Sequence, residues 1–139
     1  MKTTLLAAIA AIAPSARAEC TRAFLTNATA AYIAAQTAGK PSTLTPLTSV
    51  KLNYTESDKT VDITTGVLTR PMVIDHALNL HDPVRCATFT ELIVTDAAHP
   101  YVIGTRMVFD PAELKASLIE TIATKPGDWA FNATGYLHW

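Results

Sequence analysis

Two histidine–carboxylate pairs stand close together in the middle of the chain, Asp75-His76 and His81-Asp82. A histidine beside a carboxylate is the smallest set that supports general acid/base chemistry, because the carboxylate fixes one imidazole tautomer and raises the basicity of the ring. If the segment is helical, His76 and Asp82 lie nearly two turns apart and share a broad face. The plainer reading has Asp82-Pro83 capping a turn, with Asp75 and both histidines in solvent, and lone pairs in loops make it the weightier one. Glu91 and Arg106 add an acid and a cation on two successive β-branched segments. Arg106, with Tyr101 on the same segment, is placed to hold an anionic or enolic oxygen of a substrate. A cross-strand ion pair between Glu91 and Arg106 is the commoner arrangement, worth roughly 0.2–1 kcal/mol. The nominated catalytic set is therefore Asp75, His76 and Glu91, and the nominated substrate-binding set is Arg106 and Tyr101.

Other chemistries find no support. His76, His81 and His99 match no zinc spacing, so no metal is expected. His99 precedes Pro100 and reads as a turn residue. Ser42, Ser49, Ser57 and Ser117 lie in no Gly-x-Ser-x-Gly elbow. The chain has no phosphate-cradling glycine loop and no dinucleotide fingerprint, so nucleotide and redox-cofactor enzymes are set aside and no cofactor is expected. The formal net charge is -1, without basic or acidic blocks. Neither a nucleic-acid footprint nor a polybasic membrane patch is present.

The compartment is easier to read than the reaction. Residues 1–18 have the parts of a secretory signal peptide: Lys2, the apolar run Leu5 to Ala13, and Ala16-Arg17-Ala18 before the cleavage point. That run falls short of the roughly 20 residues a membrane span needs. The mature chain, residues 19–139, is long enough for one domain. Its two cysteines, Cys20 and Cys86, are expected to bond in an oxidising compartment, two buried free thiols being the alternative. A bridge over a loop of this length adds about 4 kcal/mol in the chain-entropy picture. Three of the four asparagines, Asn27, Asn53 and Asn132, stand in glycosylation acceptor sequences. Asn132 is the doubtful acceptor, because Trp129, Phe131 and Tyr136 around it read as core. Together these features point to a secreted eukaryotic glycoprotein.

The elements that must position any site follow from periodicity. Thr21 to Gly39 reads as a helix, with Phe24, Ala28, Ala31, Tyr32 and Ala35 at helical spacing and Gly39-Lys40-Pro41 as the stop. Lys51 to Thr55 reads as a short strand. Arg85–Thr95 and Tyr101–Phe109 read as an antiparallel hairpin across Asp96–Pro100. Tyr101, Ile103, Thr105 and Met107 fall on one face, and Val102, Gly104, Arg106 and Val108 on the other. Neither face is cleanly polar, which predicts a sheet covered on both sides. Over residues 112–125 the signals conflict. Asp110-Pro111-Ala112-Glu113 looks like a helix start, yet Leu118 to Thr124 is β-branched and Lys125-Pro126-Gly127-Asp128 is a turn.

The order of short motifs carries a resemblance. Cys20 and Ala31-Tyr32 are followed by Asn53-Tyr54-Thr55-Glu56, Asp75-His76, Asp82 and Cys86. Next come Phe89-Thr90-Glu91-Leu92 and His99 to Arg106, then Gly127-Asp128-Trp129 and Phe131-Asn132-Ala133. This series resembles an uncharacterised secreted fungal family, a domain of unknown function whose first half is similar to SnoaL-like, NTF2-like proteins. The resemblance implies an α+β cone, a curved antiparallel sheet wrapped on a packed N-terminal helix, and favours a strand at 112–125. It also implies a second half beyond the Phe131-Asn132-Ala133 segment, whereas this chain stops at Trp139; a short paralogue, a truncated gene model and a fragment all fit. Such cones host binding modules as well as lyases, isomerases and cyclases. The leading expectation is a pocket for a small apolar or aromatic molecule. The alternatives are an acid/base enzyme using the nominated set and a surface-interaction protein without a pocket.

Overall fold

The computed structural model describes residues 19–138; the predicted signal segment 1–18 and Trp139 lie outside the described residues. Helix α1 (Arg22–Ala38) opens on Thr21, whose side chain accepts a hydrogen bond from Phe24 N, and closes on Gly39 in the left-handed conformation. Strands β1 (Thr48–Glu56), β2 (Lys59–Thr60), β3 (His76–Asp82), β4 (Ala87–Val94), β5 (Tyr101–Asp110) and β6 (Lys115–Thr124) follow, with a short helix α2 (Ala133–Tyr136) at the end. A 3-10 helix of seven residues occupies Pro41–Leu47, and a single 3-10 turn occupies Val67–Thr69.

The six strands form one curved sheet in the order β2-β1-β6-β5-β4-β3. All neighbours are antiparallel except β1 and β6, which run parallel. The expected hairpin is present: β4 and β5 pair in unbroken register from Ala87↔Val108 to Val94↔Tyr101. The region 112–125 is a strand. Asp110 explains the misleading helix signal, because its Oδ1 accepts from Ala112 N and Glu113 N, as a helix cap would. Leu114 then turns to a positive φ of 54°, which ends the helical path after one turn and sends the chain back along β5. Leu114, Leu118 and Ile122 are spaced by four, which is close to one helix turn and is twice the strand repeat, so their periodicity alone could not decide.

One face of the sheet is sealed and the other is not. Tyr101, Ile103, Thr105, Met107 and Phe109 alternate as buried residues along β5, and Leu25, Ala28, Tyr32 and Ala35 of α1 pack over them. Phe24 meets Phe109 edge to face at 5.1 Å between ring centroids. Thr105 and Thr121 are buried on this inner face; Tyr32 Oη lies 2.7 Å from Thr105 Oγ1, which lies 3.0 Å from Thr121 Oγ1. Each hydroxyl thus finds a partner away from water. The outer face corrects the expectation of a doubly covered sheet. Leu78, Leu80, Phe89 and Ile122 are substantially exposed there, because among the described residues no layer is packed over most of it and only the chain around α2 approaches it beside β3 and β4.

The cysteines are joined, Cys20 to Cys86, with Cα atoms 5.4 Å apart. The bond ties the start of α1 to the β3–β4 turn. The double variant Cys20→Ser/Cys86→Ser should lose about 4 kcal/mol of unfolding free energy in urea. A loss below 1 kcal/mol would mean that the packed helix already holds this end without the bond.

Candidate functional site

The nominated residues do not form one constellation. The segment His76–Asp82 is an edge strand paired with β4 over its whole length, so the conditional helix is corrected. In a strand His76 and His81 point to opposite faces. His81 turns inward, its Nε2 3.1 Å from Thr29 Oγ1. Thr29 Oγ1 also lies within hydrogen-bond distance of the Leu25 and Thr26 carbonyls, so this contact ties β3 to α1. Asp82 Oδ1 accepts from Val84 N and Arg85 N, each at 3.0 Å, and so caps the β3–β4 turn. His99 lies in the β4–β5 loop, where its backbone N bonds Asp96 O.

Asp75 is also engaged. Its Oδ2 accepts from Thr95 N at 2.7 Å and Thr95 Oγ1 at 2.9 Å, and these bonds hold its carboxyl below the usual carboxylate range. It therefore splices the entry of β3 to the exit of β4 and gives no hydrogen bond to His76. Arg106 does not reach Glu91. Its register partner on β6 is Glu120, and both Nε and Nη2 lie 2.7 Å from Glu120 Oε2, while Glu91 faces Gly104 across β4 and β5.

Three recesses bear on the site: two lie on opposite faces of the sheet, and a smaller one of about 260 Å³ near the β3–β4 turn is lined in part by His81, Asp82 and Arg106. The outer recess, about 810 Å³, lies between β3, β4 and the chain around α2. His76 pairs with Ile93 and Leu78 with Glu91, so His76 and Glu91 are diagonal neighbours on one face and both line it, with Tyr136 opposite. Asn132 forms part of the rim, its Oδ1 taken by Gly135 N. Asn132 is exposed, and so are Trp129 and Tyr136, which corrects the reading of this segment as core.

The second recess, about 390 Å³, opens where α1 ends, bounded by residues 69–73 and the β4–β5 loop. Its floor is Met72, Val94 and Tyr101; Arg70, Asp96 and His99 stand around it. Its wall is pinned to the helix. Gln36, fully buried, donates from Nε2 to Val67 O at 3.1 Å and to Arg70 O at 2.9 Å. Met72 N bonds Thr37 O. Gly39 lets the two backbones touch: a Cβ there would stand 2.6 Å from Pro71 N, and its φ of +63° suits glycine. Tyr101 is 8% exposed, and its hydroxyl makes no hydrogen bond among the described residues; it is not sealed from solvent, so it meets water in the recess. Arg70 has no ion-pair partner there either, whereas Asp96 Oδ1 accepts from Ala98 N. Sequence reasoning nominated Tyr101 but missed Arg70, Met72 and Gln36. The available signal was Gln36 itself, a polar residue on the apolar stripe of the helix.

No family model matches the chain, and no curated protein does. Among solved structures, an NTF-2 like protein of unknown function from Burkholderia xenovorans LB400 superposes with a TM-score of 0.54 at 12% identity, covering 84% of this chain and 93% of that one. The fold is NTF2-like. In these terms the inner face is the inside of the NTF2-like cone, filled here by core side chains along β5, and the smaller recess opens at its end. The outer recess lies on the other side of the NTF2-like sheet.

The Asp75–Thr95 splice yields a pH prediction. Because the folded carboxyl titrates below its unfolded value, its contribution to stability is complete above the ordinary aspartate value, about 3.9. It disappears as pH falls through the folded value. Asp75→Ala should therefore be less stable than the parent at pH 7, and the gap in urea midpoint should narrow progressively as pH falls from about 4 to about 2. A gap that stays constant across that range would show that the splice is not held by the charged carboxylate.

Proposed function

We propose that this chain is a secreted, disulfide-linked glycoprotein that binds a small, largely apolar molecule carrying a carboxylate or similar acceptor group. The observation that carries the reading is Tyr101. Its solvent-facing hydroxyl makes no hydrogen bond among the described residues and lines a pinned recess together with the exposed Arg70, which has no ion-pair partner among them. Ligand sites are mostly apolar hollows of about 300–1,000 Å³ with a few placed polar groups. Here Met72 and Val94 offer the apolar contact, while Tyr101, Arg70 and the His99 ring offer donors. Arg106 faces away from this recess, on the Glu120 pair.

A second reading keeps His76 and Glu91 as the acid/base pair of a lyase, isomerase or cyclase, and their shared lining of the outer recess favours it. Asp75 would then act only through its hold on the entry to β3. Export draws on the N-terminal signal pattern, the disulfide and the exposed acceptor asparagines Asn27, Asn53 and Asn132. No helix among the described residues is long and apolar enough to cross a membrane.

The test uses phenylacetate as a compact apolar acid on the full chain, made in a bacterial periplasm where the disulfide can form. Tyr101→Phe should weaken binding roughly tenfold or more, since a hydrogen bond to a charged group is worth about 1.5–3 kcal/mol. Arg70→Ala should weaken it as well. Equal titration curves for parent and both variants would sink the reading. In a eukaryotic secretory host, mass spectrometry should find sugar on Asn27 and Asn53; both sites bare would count against the glycoprotein assignment.

A further inference from the structure

The outer recess has the opposite electrostatic character, and the inference drawn from it does not depend on the Tyr101 site. Glu91 is half-buried at its floor, next to Ile93, which is 1% exposed. No donor and no cation of the described residues reaches the Glu91 carboxylate, which is open to the recess rather than sealed from water. The arginine that could have done so, Arg106, is held by Glu120 at 2.7 Å. The neighbouring position across the ladder is Gly104, which brings no side chain of its own, and the Phe89 ring lies over it. A carboxylate with no partner of its own, set beside an apolar floor, leaves its charge free to meet a cation that enters the recess. Opposite it stands Tyr136, with about half of its surface open, and an aromatic face attracts cations. Leu78 and Ile93 supply an apolar floor.

We infer that this recess binds a small organic cation, an amine on a compact apolar body. The ammonium group sits on the Glu91 carboxylate and against the Tyr136 ring, and the body lies on Ile93 and Leu78, with His76 at the side. The two recesses therefore select opposite charges on opposite faces of one sheet. If the acid/base reading of His76 and Glu91 holds, its substrate is an amine. The binding claim stands without that chemistry.

Isothermal titration with 2-phenylethylamine tests this on the full chain from a bacterial periplasm, where no sugar covers Asn132. The neutral isostere 2-phenylethanol serves as the comparison. The amine should bind at least tenfold more tightly than the alcohol. Glu91→Gln should remove at least tenfold of the amine affinity, leave the alcohol unchanged and keep the thermal midpoint of the parent. Tyr136→Ala, at a half-exposed position, should weaken the amine several-fold. Tyr101→Phe should leave amine binding as it is. Failure to bind the amine, equal binding of amine and alcohol, or an unchanged affinity in Glu91→Gln would each overturn the inference. If amine binding is lost in Tyr101→Phe instead, the cation sits in the other recess and the assignment is wrong.

Discussion

Helix α1 can lie only one way across the sheet because it is fastened at both ends. At its start Cys20 is bonded to Cys86 in the β3–β4 turn. At its end Gln36, Thr37 and Gly39 grip the backbone of residues 67–72 through two side-chain bonds, one main-chain bond and a contact too close for a side chain. Between these fastenings Leu25, Ala28, Tyr32 and Ala35 seal one face of the sheet. The buried hydroxyls of Tyr32, Thr105 and Thr121 satisfy one another beneath the helix. Burial pushes the Tyr32 hydroxyl well above its ordinary value, so it stays neutral and the hydrogen-bonded chain persists across the physiological range.

That arrangement decides where ligands can go. A filled interior leaves the end of the sheet and its outer face. The end recess owes its shape to the grip on residues 67–72, and its floor to Val94 and Tyr101, which begin and end the β4–β5 loop. The outer recess owes its polarity to parity. In β4 the residues at even positions face the helix, so Glu91 and Ile93 must face outward together. One half-buried acid is thereby set into an apolar floor, while the neighbouring acid, Glu120, already holds Arg106. A large part of the remaining outer face, around Leu80, Phe89 and Ile122, stays open to solvent.

Much of this was legible in the chain. The helix was marked at both ends by Thr21 and Gly39, and the hairpin by two β-branched runs around a Pro-containing loop. Cysteine count and a signal-like N-terminal pattern were enough to expect the disulfide. What local pattern could not settle was long-range. Leu114, Leu118 and Ile122 fit two periods equally, and only pairing with β5 selects the strand. Likewise Ala77-Leu78-Asn79-Leu80 is too weakly patterned to show an edge strand. Partner choice was hidden for the same reason: whether Arg106 meets Glu91 or Glu120 depends on register across three strands. Asp75 looked like a catalyst beside His76 because nothing local reveals that Thr95, twenty residues on, occupies its carboxylate. Exposure of Trp129 and Tyr136 was invisible too, since aromatic composition suggests core.

The central claim is that a sealed interior directs an apolar acid to the recess where α1 ends. Backbone amide NMR of the full mature chain during titration with phenylacetate tests it most directly. The account predicts shifts confined to Thr69–Val73 and to Val94–Tyr101, with Tyr32, Thr105 and Thr121 unmoved. Shifts centred on Tyr32, Thr105 and Thr121 would show that the ligand enters the interior, and would contradict it.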